Sequence, residues 1–367
     1  MAGILYSIVD GYSGLGEVQA AANETPVGVF WWRIHEAFIS LHCISIFSFL
    51  FGLGLWQQWQ RAIDTRRSYV GPHLRRMACL IAFGIINTTF FFSAEILMVY
   101  AVLGMLILAI HRVKVPLPAV LFIASLSFLV LGPLWDIKLM GPGMPGAREA
   151  FEQIYPPERV TAIYQEGGLG ESIKLRWFRY GMIYYNNGEW MRMGLTMVLL
   201  GYAAGRSGVG ERLFRQPLEF RIAGTLVALP GCIFMLAGLG GFPTYATIHD
   251  GPFYFLVSSG LILSTLTLIW LFALICKTQS GEFVVKVFSP VGRQSLTTYV
   301  GGAAVFAVIF QHYGLSLYGK LHYPIPTYVA MVTYAALALF AHFWQHRYQQ
   351  GPLEWLWRRL TYDRTDT

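Results

Sequence analysis

Two apolar runs between Met77 and Ile110 are separated only by Ser93, Ala94 and Glu95, and the acid at that joint is the first residue whose type and place could do chemistry. In lipid a backbone must satisfy its own hydrogen bonds, so two apolar runs joined by a turn make an antiparallel helical hairpin. Each run is about 15 residues, roughly 23 Å of helix, against about 30 Å of hydrocarbon. The turn is therefore expected to stop below the surface, leaving Glu95 at membrane depth. A carboxylate there is costly unless it faces protein or a wet cavity, which marks it as functional; the bland alternative is an interfacial turn residue. His42, one turn inside an earlier apolar run, is a second candidate. An imidazole titrates near neutrality and can act as a base, although a histidine in a membrane helix also commonly bonds a neighbouring helix. Asp10, Glu36 and Glu95 are acids expected near one side of the bundle, in a chain that is 16% aromatic. A desolvated acid can protonate an alkene or epoxide, and ring faces can stabilise the resulting cation, which is what cyclising an isoprenoid chain requires.

The elements that must position these residues follow from composition. With 55% hydrophobic and only 13% charged residues in a chain of 367, residues 1–367 read as one all-α polytopic bundle in a membrane. Complete spans are expected at Ala37 to Trp56, at the two arms of the hairpin, and near Leu117 to Leu134, Glu189 to Ala204, Ile222 to Gly240, Phe253 to Cys276, Leu296 to Gln311 and Pro326 to Gln345. That makes nine, preceded by Met1 to Val9, an apolar stub too short to cross, which reads as a half helix. The net charge of +7 concentrates in alternate loops: Arg61, Arg66, Arg67, Arg75 and Arg76, then His111, Arg112 and Lys114, then Arg206, Arg212, Arg215 and Arg221, then Lys277, Lys286 and Arg293. Those loops and the tail at 346–367 are expected in the cytoplasm of a plasma (bacterial inner) membrane. This distribution attributes the basic excess to topology and not to nucleic acid. Residues 135–188 form a long outer loop, a lid or an inert cap, with Trp177, Phe178, Tyr180, Tyr184 and Tyr185 marking a surface-lying segment. Gly201 and Gly205 make a small-residue pair that favours close helix packing. Cys43, Cys79, Cys232 and Cys276 lie in apolar runs without the close spacing that zinc or a disulfide framework requires, so no metal is expected. No P-loop, catalytic triad or dinucleotide turn is present, and no repeat between halves supports a transporter.

The stretch Ser289-Pro290-Val291-Gly292-Arg293-Gln294-Ser295-Leu296-Thr297-Thr298-Tyr299 and the later Gly351-Pro352-Leu353-Glu354-Trp355-Leu356-Trp357-Arg358 resemble the signature of the YeiB family. Upstream, Leu50 to Gly54, then Arg75 and Arg76, then Ile96, Leu97, Tyr100, Ala101 and Gly104 fall in that family's order, so the resemblance covers nearly the whole chain. It implies a membrane helical bundle related to the transmembrane acyltransferases, which move an acyl group from a cytoplasmic acyl-CoA to an acceptor in or across the membrane. This chain departs from the pattern at the polar positions. Asn87 and Glu95 stand where YeiB-like sequences tend to carry His and Asp, and Thr298, Gly301 and Gly302 where they tend to carry Asn, Gln and Ser. The Asp and Arg-Gly pair usual at the start of such chains is missing.

Acyl transfer from a thioester needs a base for the acceptor, a donor for the oxyanion and cations for the phosphates of CoA. His42 is the expected base, Asn87 and Thr297 polar positioning groups, and Glu95 the residue that orients base or acceptor. Glu36, Asp10 and Tyr299 are expected at the acceptor. Arg75, Arg76 and Arg293 stand at basic helix ends where a diphosphate could dock. The expected function is thus a membrane acyltransferase using acyl-CoA as donor and a small-molecule or lipidic acceptor, in contact with membrane lipid. The isoprenoid cyclase is one alternative, and a transporter or lipid-binding protein without enzymatic activity is another.

Overall fold

The structure is a computed structural model, describing residues 2–13, 26–127, 147–186, 188–215, 217–239, 252–321 and 324–362. All regular elements among the described residues are helices. In order they are α1 (Ala2–Ser13), α2 (Pro26–Ile34), a π-helical turn (His35–Ile39) running into α3 (Ser40–Asp64), α4 (Val70–Phe90), α5 (Leu97–Arg112) and α6 (Leu117–Leu126). Then follow α7 (Ala147–Ile154), α8 (Pro157–Glu166), α9 (Leu169–Asn186), α10 (Gly188–Arg206) and α11 (Val209–Arg215). The chain closes with α12 (Leu218–Leu239), α13 (Pro252–Ile275), α14 (Gln279–Arg293), α15 (Ser295–Phe310), α16 (Ile325–Arg347) and α17 (Pro352–Thr361).

Among the described residues three helices are long and apolar enough to cross a membrane, Ala37–Asp64, Leu218–Leu239 and Ile325–Arg347, and a fourth span arises if the bent pair Ser259–Ile275 and Gln279–Arg293 counts as one. The hairpin arms and α15 fall outside that set for physical reasons, while the continuation of α6 beyond Ser127 lies outside the described residues. Helix α4 carries His73, Arg75 and Arg76 in its first turns, and the 16 residues of α5 or of α15 make only about 24 Å of helix. The apolar surface is continuous on α12, where Ile222, Leu226, Leu229, Ile233 and Leu236 are each more than half exposed. A stripe of that kind associates with lipid or with other protein.

The bundle is held at two levels. Helices α3 and α10 pass so closely that a Cβ on Gly52 would meet the backbone of Val198, and one on Gly201 the backbone of Phe49; Gly205 makes room in turn for the Trp56 ring. Next to them lies a core of Leu55, Met77, Tyr100, Tyr202 and Phe306 that also takes Leu5 and Ile8 of α1. Helix α1 has 12 residues and packs on α15 and α16, where the Thr327 hydroxyl bonds Tyr6 Oη at 3.1 Å.

The basic loop expected after Cys276 is largely helical: α14 is bent by 109° from the end of α13, its start capped by Thr278 Oγ1 accepting from the Gly281 N–H at 3.0 Å. Residues 346–367 hold a packed helix, α17, started by Pro352 at its first position, where a missing N–H costs nothing. Of the long segment 135–188, residues 135–146 lie outside the described residues, and most of the rest is the three helices α7 to α9. The last part of the expected span near Leu117 to Leu134 also lies outside them.

Candidate functional site

At one end of the bundle the hairpin joint buries Glu95 completely. Its Oε2 accepts from Asn87 Nδ2 and from the Tyr299 hydroxyl at 3.2 Å, and its Oε1 accepts from the Leu97 N–H at 2.6 Å. The geometry follows from local sequence. The N–H groups of Phe91 and Phe92 both close on the Asn87 carbonyl, at 2.8 and 2.9 Å, which ends α4 and turns the chain. Gly84 then leaves space for the returning strand of the hairpin: a Cβ there would meet Met98 Cγ at 2.6 Å and Glu95 Cγ at 3.5 Å. Asn87 is itself fully buried, and its Oδ1 has no hydrogen-bond partner.

The same end carries an arginine that the sequence reading missed. Helix α4 ends with carbonyls that its own turns cannot satisfy. Arg176 of α9, fully buried, donates from Nε and Nη2 to the Thr89 carbonyl at 3.0 and 2.7 Å and from Nη1 to Gln311 Oε1. Gln311 Nε2 donates to the Phe91 carbonyl at 3.0 Å, and the Tyr313 hydroxyl to the Phe90 carbonyl at 2.6 Å. A guanidinium at a helix C-terminus also complements the helix dipole. The signal available in the sequence was a charged residue amid Trp177, Phe178 and Tyr180, which reads equally well as a surface helix.

At the opposite end, α3, α4, α14 and α17 enclose a cavity of about 750 Å³. Among the described residues Arg61, Arg67, Arg76, Arg293 and Arg358 line it, against the carboxylate of Glu354. The Arg76 guanidinium lies 4.0 Å from the Trp357 ring centroid, and its Nη1 donates to Gln58 Oε1 at 2.6 Å. His73, 2% exposed, also lines the cavity. Its Nε2 sits 3.0 Å from the Gly104 carbonyl, an oxygen that can only accept, so Nε2 carries the proton. Nδ1 is then the acceptor nitrogen, and no described group bonds it. Burial and the neighbouring Arg76 both hold the His73 pKa below the ordinary imidazole range, with the Gly104 bond opposing.

The residues singled out from sequence divide between these places. Asn87, Glu95 and Tyr299 come together. Arg76 and Arg293 share the basic cavity, and Arg75 does not line it. Thr297 stands apart from Asn87 and Glu95: its hydroxyl donates to Glu354 Oε2 at 2.5 Å, while Glu354 Oε1 takes the N–H groups of Leu296 and Thr297 at 2.7 and 3.0 Å. This carboxylate caps the start of α15, satisfying donors that a helix N-terminus leaves open. His42 Nε2 bonds Ser264 Oγ at 2.7 Å; because Ser264 spends its own proton on the Leu261 carbonyl at 3.0 Å, the imidazole is the donor, tying α3 to α13. The side chains of Asp10 and Glu36 lie outside the described part of the chain. Among the described residues no cluster of His, Cys, Asp and Glu could hold a metal ion.

Fold and site define a helical protein with apolar, membrane-compatible helices, a buried carboxylate at one end and an arginine-lined cavity at the other. Residues 204–364, which carry Thr297, Tyr299, Arg293 and Glu354, match the family model described as Protein of unknown function (DUF418). Over 342 residues the chain is 28% identical to Uncharacterized protein YxaH of Bacillus subtilis (strain 168), covering 90% of this chain and 81% of that protein. It is 24% identical to Uncharacterized protein YeiB of Escherichia coli (strain K12), covering 92% and 86%, and 23% identical to the Uncharacterized 39.9 kDa protein in amylase 3'region of Bacillus acidopullulyticus, covering 92% and 85%. Its C-terminal part thus matches the DUF418 family model, and nine-tenths of its length is similar to YxaH and YeiB. No solved structure matches it.

Proposed function

We propose that this protein is a membrane-embedded acyltransferase that takes an acyl group from acyl-CoA at its arginine-lined cavity and passes it to a small or lipidic acceptor. The observation that carries the reading is that cavity. Five arginines converge on about 750 Å³, and two of them, Arg76 and Arg293, stand at the basic helix ends where a CoA diphosphate is expected to dock. Guanidinium groups pair bidentately with phosphate oxygens, so a diphosphate is the ligand that such a lining recognises.

In this reading the chain crosses the bacterial plasma membrane nine times, with α1 as a half helix and the basic cavity and C-terminus on the cytoplasmic side, where acyl-CoA is found. Helices α7 to α9 cover the other face. Along α4, Asn87 lies eleven residues beyond Arg76, about 17 Å of helix. Along α3, His42 lies sixteen residues before Gln58, about 24 Å. The phosphates are therefore held at one level and the acceptor at another, with Glu95, Asn87 and Tyr299 orienting the acceptor and His42 serving as its base. Thr297 is assigned to capping α15 and not to the reaction.

The test is binding of acetyl-CoA to purified protein, with mass spectrometry of whatever co-purifies. Saturable acetyl-CoA binding that Arg76→Gln weakens at least about tenfold, the loss of one charge-assisted contact, is the expected result. A co-purifying isoprenoid and no acetyl-CoA binding would turn the assignment to the cyclase.

A further inference from the structure

Five guanidinium groups line the basic cavity, and these have no acceptor; its hydroxyls and the amides of Gln58 and Gln350 can both donate and accept. Glu354, the carboxylate among the described lining residues, already accepts from Leu296, Thr297 and the Thr297 hydroxyl. His73 differs from all of these in being held in one tautomer with an unbonded acceptor. Its ring is fixed: Nε2–H is committed to the Gly104 carbonyl at 3.0 Å, and the Tyr69 ring lies against it with centroids 5.0 Å apart. That leaves Nδ1 as a lone pair on a side chain that is itself only 2% exposed, with no partner among the described residues. A buried acceptor without a donor is costly, and a site built around one discriminates strongly between ligands that supply the donor and ligands that do not.

We propose that His73 is a specificity-determining residue of the cavity, whose Nδ1 accepts a hydrogen bond from a hydroxyl or amino group of a phosphate-bearing ligand, so that the site takes a nucleotide-like diphosphate and not a bare polyphosphate. The proposal rests on the cavity assignment made above. It adds that the arginines supply affinity for the phosphates, while His73 chooses among phosphorylated ligands. Coenzyme A carries alcohol, amide and amino donors that reach beyond its phosphates; inorganic pyrophosphate has only its phosphate oxygens, whose P–OH groups sit among the arginines.

The experiment compares the affinities of coenzyme A and inorganic pyrophosphate for the purified full chain, as wild type and as His73→Gln and His73→Asn. A glutamine amide can keep the Gly104 bond while losing the acceptor at the Nδ1 position; an asparagine carbonyl reaches that position. His73→Gln is expected to weaken coenzyme A about tenfold, one hydrogen bond to a buried group, and to leave pyrophosphate unchanged. His73→Asn is expected to recover part of the coenzyme A affinity. A purely structural role would shift both ligands together, so equal losses overturn the proposal, as does coenzyme A binding that His73→Gln leaves intact. Failure of wild-type protein to bind either ligand overturns the cavity assignment itself.

Discussion

Arg76 and Trp357 hold each other twice: the guanidinium lies 4.0 Å from the indole ring centroid, and the indole N–H returns to the Arg76 carbonyl at 3.2 Å. The two residues are 281 positions apart, so this pair fastens the C-terminal helix α17 onto the first turns of α4 and closes one wall of the basic cavity. Trp357→Ala removes a partly desolvated cation–π contact and a hydrogen bond, together about 2 kcal/mol. The expected outcome is a lower melting temperature in detergent and faster proteolysis of the C-terminal segment. Trp357→Phe keeps the ring face and should restore about half of the loss.

How much of this was legible beforehand depends on the range over which each residue acts. The hairpin and the burial of Glu95 follow from hydropathy within some thirty residues, and Arg76 and Arg293 were identifiable because basic residues collect at alternate helix ends. Thr297 looked like a polar group in a span. Its partner Glu354 lies 57 positions away, and nothing local in either segment announces that a carboxylate from α17 caps α15. His73 stands among arginines before the apolar run, where nothing local marks it; only the fold brings Gly104 to its Nε2 and makes it a lining residue of the cavity whose Nδ1 has no described partner. Arg176 was hidden by aromatic neighbours that fit a surface helix equally well.

Glu354 has two effects of opposite sign. Its carboxylate satisfies the first N–H groups of α15, so Glu354→Gln should lower stability by about 1 kcal/mol, the usual worth of a cap. It is also the one carboxylate among the described residues that line the cavity, so the same change should tighten binding of pyrophosphate severalfold. Thermal melts and titration calorimetry on one preparation read both. The tightening should shrink as salt rises from about 0.05 to 0.5 M, because the charges face an open, screened cavity.

Arg176 bridges Thr89 and Gln311, three elements in one side chain. Arg176→Leu leaves the Thr89 carbonyl and Gln311 without partners in a buried place, a loss of about 3 kcal/mol. Limited proteolysis should then cut α7 to α9 free before the rest of the chain opens. Arg176→Lys should rescue little, because one ammonium cannot present the two-sided fork that spans a carbonyl and an amide.

The pair Asn87 and Glu95 stands where YeiB-like sequences tend to carry His and Asp, and the structure makes the two positions direct partners. Residues in contact couple energetically, by roughly 0.5–3 kcal/mol. Asn87→His alone forces a larger ring against a glutamate already held by Tyr299 and Leu97, and Glu95→Asp alone withdraws the carboxylate from Asn87; each should lower the melting temperature. The double change restores a histidine with a shorter acid opposite it. It should therefore cost less than the sum of the two single changes by at least about 1 kcal/mol. Strict additivity in that cycle would mean that the two side chains do not work as one unit, and the acceptor-orienting role given to Glu95 would lose its support.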